Sequence, residues 1–268
     1  MKKLFILFIS VIFVTACKKE STSKENPIQS TTITTNTKDT SNNTIDTVKY
    51  VTDGTVSIGK PISKVGNGLK DIDGNKYKSV FIGSQEWMAE NLNVTRYNDG
   101  TIIPNVSELE NWRDLVKTKA GAWCYYKNND SLGLVYGKLY NWFVVSPKMN
   151  GNKNVCPSGW HVPLWSEWTI LFDYVGKYGF GKLKEVGLKN WISPNTGATN
   201  SFLFSGLPGG YRDFTAFYFG IGLQGIWWSS SELNTNDAIG MGVSNDDLTP
   251  THFNLSKNSR FSVRCVKD

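Results

Sequence analysis

The sequence predicts an α+β domain, rich in loops, with small antiparallel sheets and two or three helices. Three observations carry this. Short apolar runs such as Val80-Phe81-Ile82 are separated by tight-turn pairs such as Asp73-Gly74, the punctuation of strands and hairpins. All ten tryptophans fall between Trp87 and Trp228, so the chain from about residue 65 holds the material of one sizeable core. Only a few stretches repeat apolar residues at helical spacing.

The N-terminal end is of a different kind. Lys2 and Lys3 precede an apolar stretch over residues 4–14, shorter than the roughly 20 residues a spanning helix needs. It ends in Val14-Thr15-Ala16-Cys17, which resembles the lipobox of bacterial lipoproteins. The resemblance implies a signal peptide over residues 1–16 and fatty-acyl chains, of the palmitate class, on Cys17. The membrane is then a partner through the lipid, and two or more chains hold it stably. Residues 17–64 are dominated by Ser, Thr, Asn and Lys and are expected to be a disordered tether. Residues 65–268 are the folded domain. Cys17-Lys18-Lys19-Glu20 is similar to the charged signal that exports such lipoproteins, so the expected address is the outer membrane, facing the cell exterior.

Charge excludes one class of partner. Lys and Arg number 29 against 23 Asp and Glu. The signal segment holds two of those lysines, which leaves the mature chain at +4 and the part from residue 65 onward at only +2. No basic stripe or basic helix face is present, so nucleic acid is not an expected partner. Of four cysteines, Cys124, Cys156 and Cys265 remain once Cys17 is lipidated, giving one pair and one leftover thiol in a compartment that preserves disulfides.

Element by element, Asp73-Gly74-Asn75 is a turn, and a strand follows through Val80-Phe81-Ile82. A second turn at Gly83-Ser84 leads to a strand bearing Trp87. The Asp71–Asn75 run is not a calcium loop of the EF-hand type, because Lys76 and Ile82 stand where glycine and glutamate are needed. Ser107-x-x-Glu110 is a capping box, and Leu109, Trp112, Leu115 and Val116 continue it as a helix. "GAWCYY" reads as a buried strand and "YGKLYNWFVV" as a helix with Leu139, Trp142 and Phe143 inward. Leu164, Trp165, Trp168, Leu171, Phe172 and Val175 line one face of the clearest helix, which Gly176 closes. The Gly-rich and aromatic remainder reads as long loops and strands, ending in the strand "RFSVRCV".

"DIDGNKYKSVFIGSQEWMAENLNV", "YGKLYNW", "CPSGWHVPLWSEW", "LPGGYR", "WWSSSE" and "FSVRCVKD" occur in an order that resembles the Fibrobacter succinogenes major paralogous domain (FISUMP), from about Asp71 to Asp268. That domain is common in surface lipoproteins of Bacteroidetes and Fibrobacteres. The resemblance implies a C-type lectin-like fold related in shape to formylglycine-generating enzymes, and it supplies no general activity. Leu164 stands where the family has a Thr or Ser helix cap, a loss of about 1 kcal/mol. The copper-binding cysteine pair of the related oxidases is absent, since Cys265 stands alone in the last 100 residues. Cofactors are therefore not expected.

Cys156, His161 and Glu167 lie within thirteen residues and could be a nucleophile, its base and an orienting group. The structural alternative is preferred: a Cys156–Cys265 disulfide that leaves Cys124 buried and unpaired, a packed histidine, and a carboxylate favouring the helix dipole. Gly220-x-Gly222-x-x-Gly225 leads into Ile-Trp-Trp-Ser, which is strand or loop rather than the helix a dinucleotide site requires. Asn245, Asp246 and Asp247 lack the companion motifs of lectin calcium loops and read as a solvated turn, so no metal ligand is assigned. The candidate ligand-binding residues are Trp191, Tyr211, Arg212, Trp227 or Trp228, and Asp246, in the long-loop region between about residues 191 and 251. The expected function is a non-catalytic surface binding or adhesion module for a glycan or protein ligand. A structural envelope protein and an enzyme sharing the oxidase fold are the alternatives.

Overall fold

The computed structural model describes residues 63–268, together with the backbone of three strands upstream of them. The signal segment and Cys17 lie outside the described residues, as does much of the stretch over 17–64 expected to be a tether. The described parts of that stretch, Ile33–Lys38, Thr44–Thr52 and Thr55–Ile58, pair as an antiparallel meander. Their runs are rich in Thr, Val and Ile, whose branched Cβ favours extended backbone.

Two five-stranded antiparallel sheets organise the domain. The first runs in the order Tyr218–Ile221, Gly209–Arg212, Arg260–Phe261, Leu139–Asn141, Trp123–Cys124. The second runs Trp160–His161, Val266–Lys267, Gln85–Met88, Ser79–Ile82, Lys64–Val65. The last residues of the chain thus supply an inner strand to each. Gln224–Glu232, Asp237–Ser244 and Thr251–Ser256 form a third sheet. The class is α+β, as the sequence predicts, and the hairpin around Gly83-Ser84 stands where it was expected.

Five α-helices are present among the described residues rather than two or three, although Trp142–Val145 and Pro147–Asn150 are single turns. Helix Trp165–Val175 buries Trp168, Leu171 and Val175 and ends at Gly176. Its leucine cap offers no acceptor; instead the Glu167 carboxylate accepts from the Leu164 N–H at 2.7 Å, and Ser231 Oγ accepts from the Trp165 N–H at 2.9 Å. The predicted capping box at Ser107 is corrected: the helix is Leu109–Thr118, with Glu108 at the N-cap position and no side-chain cap hydrogen bond. The Ser107 carbonyl is held outside it by a bond from Arg212. The predicted helix through "YGKLYNWFVV" is also corrected. Leu139–Asn141 is a strand, because neighbours on both sides supply its ladder, and after it helix returns only over Trp142–Val145. Helix Asp130–Tyr136, which the periodicity does not reveal, starts where the Asn129 side chain accepts from the Leu132 N–H.

Cys156 and Cys265 are bonded across 109 residues with Cα atoms 6.0 Å apart, and Cys124 is buried and free. Closing so long a loop contributes roughly 3–5 kcal/mol in the chain-entropy model. Two large apolar clusters form the core, one around Trp87, Trp168, Trp191 and Trp227, the other around Trp123, Trp142, Trp160 and Trp228.

Cations are buried among these rings. Arg264 is fully buried between Phe204 and Trp227, 4.1 and 5.3 Å from the ring centres, and donates to Asn91 Oδ1 and to the Phe204 and Ser205 carbonyls. Lys257 lies 4.7 Å over Trp142 and donates to Glu232 and to the Asn234 and Thr235 carbonyls. Lys138 lies 4.6 Å over Trp123 and reaches the carbonyl and side chain of Asn93. Lys184 lies 5.3 Å over Trp191 and donates to the Ser244 carbonyl at 2.8 Å. Burial draws Lys138 and Lys184 each down to about 8, against the pull of nearby aspartates.

Arg264→Met should therefore lower stability by at least about 3 kcal/mol, since several buried acceptors lose their donor at about 1–3 kcal/mol each. The exposed pair of Lys117 with Asp114 is the control, and Lys117→Met should change stability by less than about 1 kcal/mol. Urea unfolding of the two variants checks this; equal shifts in midpoint would show that the buried cations do not hold the loops.

Candidate ligand-binding site

The stretch "CPSGWHVPLWSEW" places its thiol, imidazole and carboxylate in a different arrangement from a catalytic one. The Cys156 sulfur is spent on Cys265. His161 bridges two carboxylates, with Nδ1 2.6 Å from Asp268 Oδ1 and Nε2 2.9 and 3.0 Å from the Glu167 oxygens. Both ring nitrogens face acceptors, an arrangement that only the imidazolium satisfies as a double donor. The Glu167 hydrogen bond, opposed by burial and joined by Asp268, raises the His161 pKa to about 9. The group is a clasp between the last residue of the chain and the first turn of helix Trp165–Val175.

The candidate binding residues do not form one exposed surface. Trp191 and Trp227 are 1% and 0% exposed, and Trp228 is equally buried. Their N–H groups find internal acceptors: Trp191 Nε1 donates to the Gly206 carbonyl at 3.0 Å, Trp227 Nε1 to Asn91 Oδ1 at 2.8 Å, and Trp228 Nε1 to the Tyr140 carbonyl at 2.7 Å. An indole so satisfied is core, and the expectation that these rings meet a ligand is corrected. Arg212 is corrected likewise. It is buried, with its guanidinium 4.9 Å from the Trp112 ring centre and 5.1 Å from that of Tyr218. Tyr211 is half-buried against Phe219 and Phe261. Asp246 is exposed and accepts from Ser244 Oγ at 3.0 Å.

Nearby, the Asn245 side chain donates to the Ile192 and Ser193 carbonyls, and Asp247 accepts from Thr249. The inward carbonyls of this turn are committed to the Lys184 ammonium, which already supplies a cation there. Gly220 and Gly222, both at positive φ, turn the chain from strand Tyr218–Ile221 into strand Gln224–Glu232, with no helix following.

What the structure does expose in this region is a hairpin tip. Between strands Gly209–Arg212 and Tyr218–Ile221, the Asp213 carboxylate accepts from the N–H of Thr215 and of Phe217, each at 2.9 Å, and from Thr215 Oγ1 at 2.7 Å. Arg212 Nε donates to the Ala216 carbonyl at 3.1 Å from beneath, and Trp112 Nε1 to the Phe214 carbonyl at 2.9 Å. So fixed, the tip holds Phe214 and Phe217 out at 58% and 67% exposure. With Trp112, Val116 and Lys117 of helix Leu109–Thr118 they line a cleft of about 780 Å³. Two large apolar side chains on a braced tip are preorganised for contact, since little freedom is left to lose on binding. The tip lies inside the region read from sequence as the ligand surface, but on residues that reading did not name. The Asp-x-Thr turn at Asp213 was the available signal.

A model of the Fibrobacter succinogenes major domain matches residues 80–267, and the chain belongs to that family. No curated protein and no solved structure matches.

Arg212→Ala should lower the melting temperature, because the Ser107 and Ala216 carbonyls lose their side-chain donor; an unchanged melting temperature measured by circular dichroism would contradict the bracing role. The His161 clasp has a definite sign. Its folded pKa of about 9 lies above the ordinary value near 6.5. Its contribution is therefore complete below about pH 6.5 and lost as pH rises through about 9. Urea midpoints of the wild type should fall across that window relative to His161→Gln, and parallel curves would remove the clasp.

Proposed function

We propose that this member of the Fibrobacter succinogenes major domain family is a surface-exposed bacterial lipoprotein, held to the outer membrane through Cys17 and acting as a non-catalytic binding module. Its ligand surface is the Phe214–Phe217 tip and the cleft beside it. The observation that carries this reading is the pair of exposed phenylalanines on a turn braced by Asp213, Arg212 and Trp112. A C-type lectin-like fold agrees with the layout, in which helices and terminal strands form the scaffold and long irregular segments join them. On such a scaffold the loops vary without unfolding the core.

The ligand is a glycan or an apolar surface of a protein. Flat rings suit the apolar faces of sugars. The Asp213 hydrogen bonds turned inward leave few free polar groups at the tip, which favours an apolar protein surface as the second reading.

A glycan array probed with the protein and with a Phe214→Ala/Phe217→Ala variant separates these. Both side chains are exposed, so the variant should keep its stability within about 1 kcal/mol and lose binding at least tenfold. Full binding by the variant would move the ligand surface elsewhere. Metabolic labelling with a clickable fatty acid tests the anchor: Cys17→Ser should lose the label and leave the membrane fraction, and retention of either would remove the lipoprotein assignment.

A further inference from the structure

The cleft beside the Phe214–Phe217 tip is charged in one sense only. Among the residues that line it, the charged ones are Lys117 and Arg212, both cations. A third cation lies close by. The Arg260 guanidinium is fully buried 4.2 Å from the ring centre of Trp112, and the Arg212 guanidinium is 4.9 Å from the same centre. No carboxylate pairs with either arginine among the described residues. Trp112 is itself a wall of the cleft. Two guanidinium charges without a carboxylate partner therefore stand against that wall, in surroundings that screen them less than water does.

The nearby carboxylates are engaged elsewhere or only loosely held. Asp213 turns its oxygens to its own loop, where the Thr215 N–H, Thr215 Oγ1 and the Phe217 N–H hold them. Asp114 pairs with Lys117 at 3.1 Å, but both side chains are exposed, and an exposed pair of this kind is weak. The polar groups of the tip have little to offer a sugar. Thr215 Oγ1 is bonded to Asp213, the Ala216 carbonyl to Arg212 Nε and the Phe214 carbonyl to Trp112 Nε1. A hydroxyl-rich ligand would leave many of its groups unpaired there. What remains is the apolar surface of Phe214, Phe217 and Val116, with the exposed Lys117 ammonium beside it.

We propose, on the reading of the Phe214–Phe217 cleft as a surface for protein ligands, that the partner is a segment in which an aromatic or branched apolar side chain stands beside a carboxylate. The apolar side chain enters the cleft, whose volume of about 780 Å³ is of the size that holds a compact ligand group. The carboxylate takes the place of Asp114 on Lys117, in the field of Arg212 and Arg260. The apolar contact supplies most of the affinity. The charge selects among apolar segments, drawing acidic ones in and turning basic ones away.

A random peptide library displayed on phage and panned on the full-length protein tests this. Recovered sequences should place Asp or Glu next to an aromatic or branched apolar residue, or one position further on. One recovered peptide is then titrated by fluorescence anisotropy against the wild type, Phe214→Ala/Phe217→Ala and Lys117→Glu. The double variant should weaken binding at least about tenfold, and Lys117→Glu at least about threefold. A peptide with its acid replaced by the amide should bind the wild type and Lys117→Glu alike. Lys117 is exposed, so the melting temperature of Lys117→Glu should match the wild type. Recovered sequences rich in Lys or Arg, sequences without a charge preference, or no enrichment at all overturn the proposal. So does a peptide that the double variant weakens and Lys117→Glu does not. A peptide that the double variant binds in full places the surface elsewhere, and the reading of the cleft falls with the proposal.

Discussion

A buried ammonium or guanidinium laid on an aromatic face, with its protons on loop carbonyls, is the contact on which this architecture depends. Long stretches of the chain have no ladder to take up their peptide groups, and a buried carbonyl without a donor is costly. Lys138, Lys184, Lys257, Arg212, Arg260 and Arg264 are all buried, and each reaches at least one loop carbonyl. The rings beneath them supply a negative face and exclude water. The tryptophan content is thus tied to the loop content. The indoles of Trp112, Trp123, Trp142, Trp191 and Trp227, which lie under these buried cations, each also donate their own N–H to an acceptor.

This arrangement separates what could be read in the sequence from what could not. The hairpin around Gly83-Ser84 and helix Trp165–Val175 depend on residues close in the chain, and periodicity and turn chemistry reveal them. The strand Leu139–Asn141 depends on partners far away, so its local pattern passes for a helix. Nothing near Lys184 distinguishes it from the exposed Lys182, because an irregular segment has no period to mark an inward position. Trp191 and Trp227 could not be told from surface aromatics for the same reason: the acceptors that make their burial tolerable, Gly206 and Asn91, are set by the fold. The family motifs located the domain without locating a site.

The tip at Phe214 and Phe217 shows how the core and the candidate binding surface are joined. Arg212 is buried, yet it fixes the Ala216 carbonyl of the tip above and the Ser107 carbonyl before helix Leu109–Thr118 beside it. Both walls of the cleft are therefore referenced to one buried group. Side chains on the tip can vary while the backbone that presents them stays in place.

The final stretch of the chain carries more of the architecture than its length suggests. Between Arg260 and Asp268 lie a strand of each large sheet, one end of the disulfide, the Arg264 anchor and the carboxylate that holds His161. Both large sheets therefore share one short covalent segment, and a shift of that segment is felt in both of them, in the disulfide and in the histidine clasp together. Its contacts join residues far apart in sequence, Cys265 with Cys156 across 109 positions among them, and contacts of that range slow folding because a long loop is closed before they are made.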